Sequence, residues 1–140
     1  MPGPDDPTPQ QARRFARARE KQSSALLEDY VEMIGDLIFQ TGEARVAEIA
    51  LRMGVAQPTA TKAVARLKRE GLATSRPYRG VFLTETGAAL ADRVRARHRT
   101  VVSLLIALGV PPETAEQDAE GIEHHVSGRT LAAFERFLAR

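Results

Sequence analysis

Residues 46–83 read VAEIALRMGVAQPTATKAVARLKREGLATSRPYRGVFL and decide the fold. In the first segment, apolar residues recur at the i, i+3, i+4 and i+7 positions of an amphipathic helix that ends at Gly54. Pro58 suits the first turn of a second helix, which ends at Gly71. Two short apolar runs then flank RPYRG (76–80) and predict a β-hairpin. Helix, tight turn, helix and hairpin together predict a winged helix-turn-helix.

The second of these helices has one apolar and one polar face. Ala60, Val64 and Leu67 point inward at helical spacing, so the polar and basic side chains occupy the opposite face. Thr59 and Lys62 stand at the N-terminal end, where they can reach base edges, and the later arginines suit phosphates. The alternative is that these are solvated charges on an ordinary helix. The residues predicted to contact DNA are Gln57, Pro58, Thr59, Thr61, Lys62, Arg66 and Arg69, with Arg76 and Arg79 on the hairpin.

Charge is distributed unevenly along the chain, although the net charge of its 140 residues is only +2. Residues 41–100 carry +7, residues 26–40 carry −4 and residues 101–140 carry −3. A basic middle segment suits a polyanion such as double-stranded DNA. The acidic segments are either solvated faces or a cation site.

Composition excludes several classes of function. Because the chain has no cysteine, it cannot contain a disulfide, a thiolate metal site or a cysteine nucleophile. The longest apolar run, residues 101–110, is too short to span a bilayer, and the N-terminus lacks the apolar segment of a secretory signal. We therefore expect a soluble, cytoplasmic protein with no membrane partner.

The chain as a whole predicts a mainly α-helical protein with a small β-hairpin wing. Residues 1–22 form a basic, partly disordered extension, in which residues 10–22 are either a basic helix or a mobile arm. Ser23 or Ser24 is expected to cap the helix that follows. We assign residues 23–88 to the winged helix-turn-helix domain.

Residues 89–140 are assigned to an all-α second domain. The long linking helix runs from Thr84 to Leu108 and is shared with the first domain. A further helix is expected from Pro111 to about Val126, and Ser127 is expected to cap a last one.

A second set of residues has the composition of a hard-cation site. Two carboxylates three residues apart share a face of the first helix, and an imidazole points inward from the long linking helix. Two carboxylates and an imidazole at i, i+3 and i+4 share a face of the next helix. Oxygen with nitrogen and no sulfur favours Mn²⁺ or Fe²⁺, with Zn²⁺ and Co²⁺ as competitors. The set is Asp29, Glu32, His98, Glu120, Glu123 and His124.

Each part of this set is weak evidence when taken alone. An acidic pair is usually a solvated face, and an inward histidine is more often a core residue. Among the neighbours, Asp36 and Glu116 are expected to face solvent. His125 is expected either to be exposed or to hydrogen-bond a ligand residue without binding metal itself.

Three motifs, LEDYVEMIGDLI (27–38), RARHR (95–99) and AEGIEHHVS (119–127), resemble the diphtheria-toxin-repressor family of metal-activated transcription factors. The resemblance includes the winged helix and covers roughly residues 25–130. It implies that the winged helix binds DNA, that the second domain dimerises, and that the six residues above bind two metal ions with a bridging carboxylate. Iron-responsive members place Met at the position of Asp29 and Cys at that of Glu120, so oxygen here favours manganese.

The resemblance implies a homodimeric, Mn²⁺-activated repressor of manganese-uptake genes that binds a palindromic operator. Fe²⁺, Co²⁺, Zn²⁺ and Cd²⁺ are expected to bind in vitro, and no small organic ligand is expected.

Two alternatives come from the residues themselves. One is a di-metal carboxylate enzyme, but such helical bundles use paired Glu-x-x-His motifs. Here Glu120 and His124 are four apart, and Arg95 stands three residues before His98. The other is a winged-helix regulator that responds to iron or zinc, or to no metal.

Overall fold

The computed structural model describes residues 8–140 and contains six α-helices, a two-stranded antiparallel sheet and a short 3₁₀ turn. The predicted class, mainly helical with a hairpin wing, is confirmed. The helices are α1 Pro9–Thr41, α2 Val46–Met53, α3 Gln57–Arg69, α4 Glu85–Ala107, α5 Pro112–Ile122 and α6 Gly128–Leu138. The strands are β1 Ala73–Arg76 and β2 Gly80–Leu83, and the 3₁₀ turn is Glu123–His125.

Helix α1 is one continuous helix of 33 residues, so the expected cap at Ser23 or Ser24 is wrong. Residues 10–22 are rich in Gln, Ala and Arg, which favour helix, and the helix therefore continues toward the N-terminus. It begins after Thr8, whose side chain accepts a hydrogen bond from the Gln11 backbone N–H in a capping box. The expected disorder of residues 1–9 is wrong for Thr8 and Pro9, because they cap and begin α1. Residues 1–7 lie outside the described residues.

The winged helix-turn-helix is present as the sequence predicts. Gly54 ends α2 with a positive φ of 70°, a conformation that favours glycine. Strand β1 pairs with β2 in the register that places Ala73 opposite Leu83. The Val81 N–H also donates to the Ala44 carbonyl at 2.8 Å, which adds a single-residue third strand that the sequence did not indicate.

Two apolar cores hold the described chain together. The larger lies between α1, α2, α3 and the hairpin, and it includes the fully buried Ile34, Leu37 and Leu67. The smaller lies where α4 packs on α5, around Val101 and Ala115. Helix α4 contributes to both cores, because Ala91 belongs to the larger and Val101 to the smaller. Helix α1 packs against α4 and the 3₁₀ turn.

The predicted helix from Pro111 to Val126 is wrong at its C-terminal end. Helix α5 ends at Ile122, and residues 123–125 form the 3₁₀ turn. Val126 is extended and Ser127 caps α6 as expected, so the chain tightens before it leaves the helix. Glu123 and His124 therefore do not share an α-helical face with Glu120.

Within the described residues, no helix is long and apolar enough to cross a membrane.

Gly87 marks the closest approach between α4 and the chain leaving α3. A Cβ at this position would overlap the backbone carbonyl oxygen of Leu72, which cannot rotate away. We expect Gly87→Ala to lower the free energy of unfolding of the metal-free protein by about 1–3 kcal/mol, as overpacking does. Chemical denaturation measures this change.

The control is Gly121→Ala on α5, where an added Cβ meets nothing within 4 Å. Alanine favours helix over glycine, so this variant should be unchanged or more stable by up to about 1 kcal/mol. Equal stabilities of the two variants would contradict the close approach at Gly87.

Candidate metal centre

The structure brings five of the six predicted ligands into two adjoining groups. Asp29, Glu120 and His124 form one group, and His98, Glu120 and Glu123 form the other. Within each group, one potential ligand atom from every residue lies within 4.8 Å of the others. Glu120 belongs to both groups, which is the position that a bridging carboxylate requires.

His124 is buried, and its two ring nitrogens face different carboxylates. Nε2 lies 2.8 Å from Asp29 Oδ1 and 3.3 Å from Glu123 Oε1. Nδ1 lies 3.0 Å from Glu28 Oε2, to which it can donate a hydrogen bond. The ring is thus held from one side while its other nitrogen faces the cluster.

Two buried atoms of this cluster make no well-directed hydrogen bond among the described residues, although each lies within 3.3 Å of another polar atom. They are His124 Nε2 and Glu123 Oε1. Buried polar atoms without partners are costly, and both belong to residue types that coordinate divalent cations. The donor set therefore fits a metal ion in the space between them.

His98 of α4 also contacts carboxylates through both ring nitrogens. Nδ1 lies 2.8 Å from Glu123 Oε2 and 3.5 Å from Glu120 Oε1. Nε2 lies 2.7 Å from Glu116 Oε2. Burial lowers the pKa of His98, but the neighbouring carboxylates Glu116 and Glu123 outweigh it and raise the pKa above its ordinary value.

Glu32 is the sixth predicted ligand and lies outside both groups. It lines a cleft of about 270 Å³ together with Asp29, Met33, Asp36 and Glu120. Burial raises its pKa first, and the negative charges of Glu120 and Asp36 raise it further. The pKa of Glu32 therefore responds to the charges of the cluster, although Glu32 belongs to neither ligand group.

Glu123 carries the largest electrostatic perturbation in the cluster. Its side chain is fully buried, and burial raises its pKa to about 7 despite the nearby His124 and His98. Burial also lowers the pKa of His124, but the contacts with Asp29 and Glu123 outweigh that effect and raise it. Because coordination requires these groups to be deprotonated, their raised pKa values oppose metal binding at low pH.

Sequence reasoning missed Glu28 and Arg97. The Arg97 guanidinium forms an ion pair with Glu28 beneath His124, and burial lowers the pKa of Arg97. The signal for Glu28 was its position three residues before Val31 on the apolar face of α1, where a carboxylate needs a buried partner. Arg97 had no comparable signal, because the motif RARHR contains three arginines.

The three residues set aside as neighbours have different environments. Asp36 is partly exposed and pairs with Arg95 at 2.9 Å. The side chain of Glu116 is 61% exposed as expected, yet it bonds His98, which the sequence did not indicate. His125 is exposed.

The predicted DNA-contacting residues of α3 lie on its outer surface. Gln57, Pro58, Thr59 and Lys62 are exposed, and so is Arg69 near the C-terminal end. The Thr61 hydroxyl donates to the Gln57 carbonyl at 3.0 Å. Arg66 is partly buried and donates to Ser23 Oγ at 2.9 Å.

The wing adds a second basic surface. Arg76 stacks over the Phe82 ring at 4.9 Å, and Arg79 is exposed in the turn. Tyr78 is 94% exposed with a φ of 63°, and Arg45 donates to its carbonyl at 2.7 Å. Sequence reasoning missed Arg45 and Tyr78 at this tip.

Two family profiles match the chain in the same order as these features. The family described as iron dependent repressor, N-terminal DNA binding domain, matches residues 23–81. The one described as iron dependent repressor, metal binding and dimerisation domain, matches residues 84–140.

Similar proteins include "Transcriptional regulator MntR" of Escherichia coli, 51% identical over 90% of this chain and 81% of that protein. "HTH-type transcriptional regulator MntR" of Listeria monocytogenes is 38% identical over 75% of this chain and 74% of that protein.

Among solved structures, the manganese regulator SloR is 29% identical with a TM-score of 0.71. The alignment covers 81% of this chain and 53% of SloR, so the chain spans about half the length of that regulator. These relatives are transcriptional regulators rather than enzymes. The chain belongs to the iron-dependent repressor family, the diphtheria-toxin-repressor family of metal-dependent DNA-binding transcriptional repressors.

Proposed function

We propose that the protein is a manganese-responsive repressor that binds two Mn²⁺ ions per subunit. Glu120 carries this proposal, because its carboxylate lies within reach of both ligand groups. The proposed ligands are the five residues of the two groups, Asp29, His98, Glu120, Glu123 and His124, with Glu32 from the adjoining cleft as the sixth. Each proposed ligand atom is oxygen or nitrogen, which suits Mn²⁺, and the name of the related SloR structure describes a manganese regulator.

The cluster joins the two halves of the chain. Asp29 and Glu32 belong to α1, which packs in the DNA-binding half, whereas His98 lies on α4 and the remaining ligands on α5 and the 3₁₀ turn. Without a cation, the carboxylates of α1 and α5 repel one another across this junction. Bound cations supply the positive charge that offsets this repulsion. The arrangement competent for DNA is then favoured because it binds metal more tightly.

We propose that α3 and the wing read double-stranded DNA in a homodimer. The family match includes a dimerisation domain, and α6 has no buried residue while its Phe137 is 42% exposed. An exposed apolar helix face suits a subunit interface. Two copies related by a twofold axis present two α3 helices, so the operator is expected to be palindromic.

The proposed targets are manganese-uptake genes, repressed when the metal is plentiful. Such a repressor acts where the DNA is, so we place the protein in the cytoplasm. We expect no small organic ligand.

The test of this function is Glu120→Gln, which removes the shared charge while keeping the shape of an exposed side chain. We expect Mn²⁺ titration calorimetry to show loss of one or both sites, and gel shifts to show loss of Mn²⁺-dependent operator binding. The dimer should persist by light scattering, because Glu120 is exposed at the junction rather than part of a core.

The matched control is Asp118→Asn, an exposed carboxylate two residues away on α5 and therefore on another face of the helix. It should bind Mn²⁺ and operator as the wild type does. Wild-type binding by Glu120→Gln, or operator binding unaffected by EDTA, would contradict the proposal.

Metal binding should release protons and weaken as pH falls below 7. Glu123, with a pKa of about 7, and the two histidines with raised pKa values must lose protons to coordinate a cation. Calorimetry in buffers of different ionisation enthalpy measures this release. Mn²⁺ affinity independent of pH on both sides of 7 would contradict the arrangement.

The metal-free protein should show the opposite trend. A carboxyl whose pKa rises from 4.5 to about 7 on folding stabilises the fold below pH 4.5. This contribution to stability disappears as pH rises through about 7. Raising the pH therefore destabilises the fold at this group, whereas bound metal stabilises it. Chemical denaturation in EDTA on both sides of this pH measures the change. The pH dependence should be smaller in Glu123→Gln but still present, because the pKa values of His98 and His124 are also raised.

Glu28 is proposed to position His124 rather than to bind metal. Its carboxylate accepts the hydrogen bond from Nδ1 and so directs Nε2 to the cluster. We expect Glu28→Gln to weaken Mn²⁺ binding roughly 10–100-fold without changing the number of ions bound. The control Glu113→Gln, exposed in the first turn of α5, should leave the affinity unchanged. One ion fewer in Glu28→Gln would instead make Glu28 a ligand.

A further inference from the structure

The N-terminal part of α1, residues 9–22, extends beyond both cores and is called here the basic arm. The first buried residue of α1 is Leu27, so the arm contributes nothing to the core. At 1.5 Å per residue it is about 20 Å long. The proposed function does not use it.

The arm is strongly basic. One acidic residue, Glu20, stands among five basic ones, and all of these side chains are exposed except Lys21, which is partly exposed. The basic residues are Arg13, Arg14, Arg17, Arg19 and Lys21. At 3.6 residues per turn, Arg13, Arg14, Arg17 and Lys21 lie within about 100° of one another around the helix axis, whereas Arg19 points to the other side. Four of the five charges therefore form one basic stripe along the arm.

The base of the arm lies against the DNA-reading helix. Ser23 follows the arm directly, and its Oγ accepts a hydrogen bond from Arg66 of α3 at 2.9 Å. Arg66 is one of the residues proposed to reach DNA phosphates. The positive surface of α3 therefore continues onto α1. Because the arm belongs to the same continuous helix as the core residues of α1, its direction is set by that helix.

We propose that the basic arm binds the phosphate backbone of the duplex read by α3, outside the operator half-site. The inference rests on the proposed operator binding. Arginine and lysine on an exposed helix, without a polar base-reading set, suit phosphates of any sequence. The arm thus adds affinity and salt dependence without adding sequence preference.

The experiment compares two double variants that remove the same charge. Arg13 and Arg17 are changed to Gln in one, and the exposed Arg93 and Arg99 of α4, which lie outside α3, the wing and α6, are changed to Gln in the other. Glutamine keeps helix propensity, so folding should be preserved. Operator affinity is measured with saturating Mn²⁺ over a range of salt concentrations on a long operator fragment.

In the arm variant, we expect the slope of log K against log salt to become shallower by about 0.9 for each phosphate that the arm no longer neutralises. Hydroxyl-radical footprints should lose protection outside the half-sites and keep it within them. The second variant should show the wild-type slope and footprint, and discrimination against a scrambled operator should be similar in all three proteins.

Equal effects of the two variants would overturn the proposal, because net charge alone would then explain them. An arm variant with wild-type slope and footprint would also overturn it. So would a weakened dimer in sedimentation with an unchanged footprint, since the arm would then bind an acidic surface of a second copy. Failure of wild-type protein to bind operator with Mn²⁺ would instead reject the proposed function itself.

Discussion

The carboxylates of Asp29, Glu120 and Glu123 converge on His124 and His98 where α1 meets α4, α5 and the 3₁₀ turn. Their mutual repulsion acts in a partly buried place, where water screens charge less than it does at the surface. Burial, and to a lesser extent the negative charge of Glu120, raise the pKa of Glu123 to about 7, so protonation below that pH removes part of this repulsion. The relation between the two halves of the chain therefore depends on what neutralises this junction.

The ligand cluster lies outside both apolar cores. The larger core fixes α3 and the hairpin relative to α1, and Ala91 of α4 packs in it as well. The smaller core, around Val101 and Ala115, fixes α4 to α5. The ligand residues belong to neither apolar cluster, so a cation can bind between α1, α4, α5 and the 3₁₀ turn without disrupting a core.

The winged helix could be predicted because its signals are local: Gly54 needs a positive φ, and the apolar residues of α3 repeat at helical spacing. The same holds for the cap at Ser127. The start of α1 could not be predicted, because Ser23 and Thr8 are equally good N-cap residues in the sequence. The structure shows Thr8 as the cap, since α1 is continuous through Ser23. The ligand set could be proposed from helical spacing together with the family resemblance. The support from Glu28 depends instead on a contact across 96 positions of sequence, which no local spacing encodes.

Helix α1 is a single rod that carries the arm, core residues and the carboxylate Asp29. Twenty residues separate Asp29 from Pro9, which is about 30 Å of helix at 1.5 Å per residue. A tilt of about 5° at the junction therefore moves the far end by about 3 Å, close to the rise of about 3.4 Å between successive phosphates of one DNA strand. A small change in the angle of α1 at the metal cluster would therefore displace the basic arm by about one phosphate spacing along the DNA.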